Sequence, residues 1–390
     1  MAAQESTSKT LTHVVGTFLI QAEGAFLNGA GLGRGEDKNT TIPKTLFNFK
    51  DEVPYVSAQA WKRWLRDTYQ SEYPNDPAVI IQTTDVNEKN NTKKLGSTLD
   101  PVTFAEDDIF GYMKTRKEQG TVTAESEQGD EDEEDEDAGS GREKVKPTMR
   151  TSPFHASILM SLRKTGWRGL DKGFVYPKRV APELLEKNPD ARSTPLPYDT
   201  KFYNTQLQGI FGLNYSRLGE FRNEGDRIEL DLPLVTKYLK ENKIAKADGG
   251  REIYQLVNNP RKERATKILK SLSVMRGGAK QAQFGTPVHP QAIVIAGLSC
   301  GNLIFNHLFE DTKEGPVFKL ETFEEVVRDF ADRIVTSVYV GIRTGYLNPE
   351  SERRLRERFS KQDDADGLSA KVVVCTPVEA INRLTAELPA

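Results

Sequence analysis

The sequence predicts an α+β fold: a ferredoxin-like βαββαβ core with large insertions and a C-terminal helical appendage. Three observations lead there. Strand-like apolar runs stand at residues 12–24, 152–163, 201–219 and 290–299. Helix-patterned segments begin near residue 58 and residue 259, so the order reads strand, helix, strand, strand, helix, strand. Residues 71–148 and 164–202 are polar or punctuated by Gly and Pro, as insertions would be. The chain has 390 residues, 37% of them hydrophobic, and reads as one domain, 1–390, enlarged by insertions.

Each element has a local cause. "THVVGTFLIQAEG" (12–24) is nearly continuous in β-branched and aromatic residues, as a strand covered on both faces requires. After the glycine-rich stretch 28–45, Ser57 follows the extended run Val53, Pro54, Val56 and can cap a helix starting at Ala58. On a 3.6-residue period Gln59, Lys62, Arg63 and Arg66 share one face. Ala58, Trp61 and Leu65 share another, flanked by Ala60 and Trp64, so the indoles are expected inside and a cationic stripe outside. Between 74 and 148 only "DDIFGYMKTR" has the composition to pack. "KTGWRGLDKGFVYPKR" (164–179) reads as a protruding hairpin or loop. "NPRKERATKILKSLSVMRGG" reads as a basic helix capped by Gly277 and Gly278. "TFEEVVRDFADRIVTSVYVG" reads as a helix capped by Thr322, with Glu325 completing a capping box, running into a short strand.

Charge is segregated along the chain. The formal net charge is −3, yet residues 125–137, "ESEQGDEDEEDED", hold ten acids and no cation, so everything else carries +7. From Arg142 to Arg179 there are ten Lys/Arg and two acids. A basic body suits a polyanion, because phosphate contacts supply most non-specific affinity. The acid run lacks the apolar surface to order itself, and residues 122–142 are expected to form a disordered, solvated loop. No run approaches the roughly 20 apolar residues of a membrane span. The start, "MAAQESTSKT", lacks the basic-then-apolar order of a secretory signal. Two cysteines and four histidines form no disulfide framework and no zinc pattern. The expectation is a cytoplasmic protein with no metal and no cofactor.

No Walker pattern occurs, and "GAGLGRG" (29–35) precedes an extended loop rather than the helix a dinucleotide site needs. Asp37, in "GRGEDKN", is a lone acid on that loop. It supports a metal-dependent endoribonuclease only as an alternative, since no second carboxylate or metal motif accompanies it. Ser299–Cys300 has no base near it in sequence. "VMRGGAKQAQFG" (274–285) places Arg276, Lys280 and Gln281 around Gly277 and Gly278, whose bare backbone N–H groups can approach a phosphate. A charged helix face and an ordinary helix end would each explain one of these stretches alone.

Together they resemble a known family. "PYVSAQAWKRWLR" is similar to the first-helix signature of the backbone subunits of type I CRISPR Cascade complexes, a Ser-(Ser/Ala)-Gln-x-x-Lys-Arg-x-x-Arg pattern matched by Ser57, Gln59, Lys62, Arg63 and Arg66. "GGAKQAQF" resembles the Gly-x-Lys-(Gln/Arg)-x-x-Phe segment placed before the last core strand in the same proteins. "THVVGTFLIQAEGAFLN", "MRTSPFHASIL" and "SVYVGIRTGYL" are similar to the DevR, or type I-B autoregulator, branch. The likeness covers core segments from about residue 12 to 347.

The resemblance implies an RRM-like palm, fingers from 71–148 and a thumb from 164–202. It implies a non-enzymatic, multi-copy scaffold stacked along CRISPR RNA (crRNA). Gln59, Lys62, Arg63 and Arg66 would then line the RNA backbone with a hydroxyl contact from Ser57. Arg276, Gly277, Gly278, Lys280 and Gln281 would grip phosphates from the other side, and Asn28 and Arg34 would contribute from the glycine loop. Arg163, Lys164, Trp167 and Arg168 are further RNA-binding candidates, and Trp167, Phe174 and Tyr176 candidate wedges between bases. Contacts to phosphates and 2′-hydroxyls leave guide bases free to pair with a target DNA strand. The implied partners are crRNA, that target strand, further copies of the chain, other Cascade subunits, and either a nuclease-helicase or transposon targeting proteins, with no membrane. A regulator without RNA is a further reading, and no helix-turn-helix pattern supports it.

Overall fold

The computed structural model of the chain describes residues 10–32, 40–48, 50–79, 82–86, 92–96, 99–114, 148–225, 227–247, 249–360 and 367–389. The elements used below are β1 (His13–Ala25), α1 (Ala58–Glu72), β2 (Phe154–Ala156), β3 (Leu159–Ser161), β4 (Arg168–Val175), β5 (Leu196–Asn214), α2 (Arg261–Ser273), β6 (Ala292–Leu298), α3 (Leu320–Asp329), β7 (Val338–Ile342), α4 (Pro349–Arg358), β8 (Val372–Cys375) and α5 (Pro377–Glu387). Helices and several sheets mix in one α+β architecture.

The main sheet runs β8-β7-β6-β1-β5-β3, continuing into the strands Asp51–Val56 and Thr45–Asn48. β1 lies at its centre, antiparallel to β5 on one side (His13↔Asn214) and to β6 on the other (His13↔Leu298). β2 and β3 both pair antiparallel with β5. β5 is long because it does two jobs: its C-terminal part joins the central sheet, while Leu196–Tyr203 pairs with β4 as a hairpin.

The alternating faces of β1 explain its unbroken apolar run. Val14, Phe18 and Ile20 meet Trp61 and Leu65 of α1, Ile268 and Leu272 of α2, and Ile381 of α5. Val15 and Leu19 face the other way, into a core built by Phe305, Phe309, Phe323 and Leu355. The Trp61 ring is edge-on to Phe18 at 5.5 Å, and its Nε1 donates to the Ser157 carbonyl at 2.7 Å. A buried indole needs such a partner.

α2 ends at Ser273 with Val274 as its cap, so Gly277 and Gly278 lie beyond the helix. α3 starts at Leu320, leaving Thr322 inside its first turn without a capping role. β8, parallel to β7, extends the sheet where only helix was expected. Residues 220–256 form a further small core of Phe221, Leu230, Val235, Tyr238, Ile244 and Tyr254 beneath a second sheet that also recruits Tyr112–Lys114 and Thr148–Arg150. The acidic loop 122–142 lies outside the described residues, as do Arg34 and Asp37. No helix among the described residues is long and apolar enough to cross a membrane.

Candidate nucleic-acid interface

α1 begins where its sequence places it. Ser57 has extended backbone (φ −64°, ψ 150°), and its hydroxyl accepts a hydrogen bond from the Ala60 N–H at 3.4 Å. The Ser57 N–H itself donates to the Asn28 side-chain carbonyl at 3.4 Å, which brings the glycine loop to the helix start. Gln59 and Arg63 are exposed and Lys62 is partly buried. Arg63 pairs with Asp67 one turn on, at 2.8 Å.

Arg66 departs from the expected outward stripe. Only 22% of its side chain is exposed; its Nε lies 3.3 Å from Glu106 and its guanidinium 4.8 Å from the Phe110 ring. Burial draws its pKa below the ordinary arginine value, with Glu106 opposing. The cause is the helix Ala105–Phe110, which packs along this flank and was legible only as a segment able to pack. Burial likewise raises Glu106, and it pushes Asp107 up to about 6.

The stretch after α2 is held against α1 by small residues. The Arg276 N–H donates to Thr68 Oγ1 at 3.0 Å and its guanidinium pairs with Glu72. A Cβ on Gly277 would lie 2.4 Å from Trp64 Cγ, and one on Gly278 would lie 2.6 Å from Leu27. Both glycines have positive φ, +145° and +102°. Gly277 therefore permits close approach to α1 and Gly278 close approach to Leu27, and neither caps α2. The Ala279 N–H donates to the Leu27 carbonyl at 2.9 Å.

Lys280 follows in the left-handed region, φ +51°, a strained backbone for an L-residue worth roughly 1–2 kcal/mol. Its ammonium sits 5.1 Å from the Phe26 ring and donates to Thr200 Oγ1 at 3.0 Å. The Gln281 amide instead turns inward, donating to the Gly277 and Thr286 carbonyls. Gln281 thus shapes the turn that presents Lys280. Phe284 then rests on Phe202 at 5.8 Å, and Gln283 reaches Asp171, tying the segment to the base of the β4–β5 hairpin.

The two stretches meet around residues 26–28. Asn28 touches Ser57, Leu27 touches Gly278 and Ala279, and Phe26 touches Lys280. They do not run together along α1. At 100° per residue, Trp64, which faces Gly277, and Arg66 point some 200° apart. The shared neighbourhood is the N-terminal end of α1, where the helix dipole also favours an anion.

The hairpin candidates separate. Arg163 is committed to Asp311 at 2.7 Å and to the Asn204 carbonyl. Trp167 is only 3% exposed, and its Nε1 donates to the Glu52 carbonyl at 2.9 Å. Arg168 lies over the Trp167 ring at 4.3 Å and pairs with Glu52 at 2.6 Å. Trp167 is therefore a core residue and not a wedge, while Phe174 (58% exposed) and Tyr176 (71%) remain available at the tip. Trp167→Ala is expected to cost about 3–5 kcal/mol of stability. Phe174→Ala and Tyr176→Ala are expected to leave the thermal midpoint unchanged, which a melting curve checks.

Lys164 is exposed on the rim of a cleft of about 1220 Å³ on the sheet face opposite α1, floored by Met160, Gln208 and Ile210. Residues that sequence reasoning missed are Phe26 and Thr200, which hold Lys280, and His155, whose pKa is lowered by burial and then by the charge of Lys62. Thr200 and Lys280 are 80 positions apart, so no local pattern could pair them.

No known protein family and no curated protein matches this sequence. Among solved structures the chain is similar to one titled "CRISPR RNA-guided surveillance complex", with 11% identity and a TM-score of 0.44 over 96% of this chain and 99% of that one. It is also similar to one titled "CRISPR RNA-guided surveillance complex, pre-nicking", with 12% identity and a TM-score of 0.47 over 97% and 100% of the two chains.

Proposed function

We propose that this chain is a multi-copy backbone subunit of a type I, I-B-like CRISPR Cascade complex that holds crRNA along its sugar-phosphate chain without reading its bases. The observation that carries this reading is the meeting of two sequence-distant stretches, Ser57–Arg63 and Gly277–Lys280, around Phe26–Asn28. The first-helix and Gly-x-Lys motifs, two of the segments that resemble the family, are the two that meet. The strand order β6-β1-β5-β3, wholly antiparallel with α1 and α2 against one face of β1, is the arrangement an RRM-like palm requires. The β4–β5 hairpin, with its exposed Phe174 and Tyr176, fits a thumb.

The physics of the contact is simple. Lys280 supplies a cation on a backbone already held in its left-handed turn, so little further ordering is needed when a phosphate arrives. Ser57, Asn28 and Gln59 offer hydroxyl and amide groups suited to phosphate and 2′-hydroxyl oxygens. None of these is arranged to read a base edge, so guide bases stay free to pair with target DNA. The remaining partners in this reading are further copies of the chain, other Cascade subunits, and a nuclease-helicase or transposon targeting proteins. The work is cytoplasmic, and the chain itself does not cut RNA. Labelled RNA incubated with the purified protein and Mg²⁺ is expected to stay intact, whereas cleavage lost in Asp37→Ala would establish the endoribonuclease alternative.

The direct test is binding. Lys280→Ala with Gln59→Ala should weaken affinity for single-stranded RNA about tenfold or more, the loss expected from one charge-assisted contact and one neutral contact. The loss should be equal for RNAs of different sequence. Removing the Lys280 charge should flatten the slope of log affinity against log salt by about 0.7, one single-strand phosphate contact. Unchanged affinity, or a loss confined to particular sequences, overturns the reading.

A further inference from the structure

The main sheet is covered unevenly. On one face α1, α2 and α5 contribute to a single core with β1 and β5. On the other, α3 and α4 pack over β1, β6, β7 and β8 through Phe323, Val327 and Leu355, and no β5 residue joins that core. There, among the described residues, opens the cleft of about 1220 Å³ floored by Met160, Gln208 and Ile210 and lined also by Val53 and Ile158. An antiparallel sheet with one face in water places polar residues on that face. Here Met160 and Ile210 are partly exposed and Ile158 is 37% exposed. Gln208 is the polar exception on the floor, and its amide already donates to Thr17 Oγ1 at 3.0 Å. The composition is that of a covered face.

The charges around the cleft say what covers it. Arg163, Lys164, Lys313 and Lys319 line it against Glu310 and Asp311. Asp311 is held by Arg163 at 2.7 Å, and Glu310 lies 3.8 Å from Lys319. Lys164 and Lys313 are exposed and have no ion pair among the described residues. An apolar floor flanked by surplus ammonium groups complements a chain that is apolar on one side and acidic beside it. The cleft is larger than the roughly 300–1,000 Å³ of small-molecule sites, which points to a chain segment. Single-stranded RNA binds on aromatic platforms, and the only phenyl ring lining this cleft, Phe309, is 3% exposed. The hairpin tip of a second copy would bring Lys178 and Arg179 beside Tyr176, like charge against like.

We propose that this face of β5 and β3 docks an acidic amphipathic helix of a partner protein. Apolar side chains of the helix rest on Met160, Ile158 and Ile210, and its flanking carboxylates meet Lys164, Lys313 and Lys319. The cleft opens on the face of the sheet and not at its edge, so it offers an incoming strand no backbone ladder. A helix satisfies its own backbone groups and needs only side-chain anchors, at i, i+3, i+4 and i+7. The lysines steer the approach and set the sign of the partner, while the apolar floor holds it. Salt screens the first part and leaves the second. The docking lies on the sheet face opposite α1 and does not depend on RNA being held there.

Fluorescence anisotropy on the full chain tests this with two labelled helical peptides, both with Leu at i, i+3, i+4 and i+7, one carrying Glu on its flanks and the other Lys. The Glu peptide should bind wild type saturably at low salt, and about tenfold or more weakly in Lys313→Glu/Lys319→Glu, as expected for two exposed charges reversed. The Lys peptide should show the opposite order. A scrambled Glu peptide of the same composition should bind wild type about tenfold or more weakly, because its anchors no longer share a face. No saturable binding of the Glu peptide, equal binding of its scrambled form, or equal affinity in wild type and the reversed variant overturns the docking. A short single-stranded RNA that displaces the Glu peptide and itself weakens in the reversed variant overturns it in favour of nucleic acid. Wild-type protein that binds the Glu peptide and no RNA removes the proposed function and supports the docking.

Discussion

Arg150→Ala should cost about 3–5 kcal/mol of folding stability, the usual loss when one partner of a buried ion network is removed. The side chain is 1% exposed and surrounded by acceptors. It pairs with Asp108, donates to the carbonyls of Asp108, Glu220 and Arg217 at 2.9–3.0 Å, and covers Phe221 at 4.7 Å. Asp108 also accepts from Arg264 of α2 and from the Gly219 N–H. One guanidinium thus ties the helix Ala105–Phe110, the second sheet and, through Asp108, α2. Removing it leaves buried Asp108 with Arg264 as its charged partner and three carbonyls without their guanidinium donor. Denaturant unfolding should show the midpoint drop. Arg63→Ala, which breaks only the exposed pair with Asp67, should move stability by less than about 1 kcal/mol. Similar losses for the two variants would mean that the network does not hold the sub-cores together.

Gly277→Val should be nearly as damaging, and its damage should reach the RNA. The added Cβ would fall within 2.4–2.7 Å of three Trp64 atoms, and φ +145° is a conformation a β-branched residue avoids. Trp64 cannot retreat, because α1 is packed on β1 through Trp61 and Leu65. The segment Arg276–Lys280 must lift instead, breaking the Arg276–Thr68 and Ala279–Leu27 bonds that set the position of Lys280. Overpacking of this kind costs about 1–3 kcal/mol before backbone strain is added. RNA affinity should fall at least as far as in Lys280→Ala. Gly285→Ala is the control, since a Cβ there meets nothing within 4 Å although φ is also positive, at +59°. RNA binding retained in Gly277→Val would separate this segment from the interface.

Legibility in the sequence followed the range of the interactions. The α1 cap at Ser57 and the burial of Trp61, Trp64 and Leu65 were readable because cap and period are local. So was the fully buried strand β6, from its unbroken apolar composition. The helix limits at Ser273 and Leu320 were misjudged because Gly277, Gly278 and Thr322 carry the local signature of helix ends while other contacts fix their places. Gly277 is required by Trp64, 213 positions away, and nothing near it in sequence says so. Arg66 and Trp167 failed as predicted contacts for one shared reason: partners from distant segments, Glu106 with Phe110 and the Glu52 carbonyl, claim their polar groups. The core of 220–256 was missed because its strands are two to five residues long and carry charged residues between the apolar ones.

Cross-linking tests the central claim most directly. A guide-length RNA of random sequence, photo-cross-linked to the intact protein and mapped by mass spectrometry, should mark peptides containing Ser57–Arg63 and Gly277–Lys280 on the same RNA, with no base preference. Cross-links confined to the opposite cleft around Met160 and Ile210, or to only one of the two stretches, would contradict it.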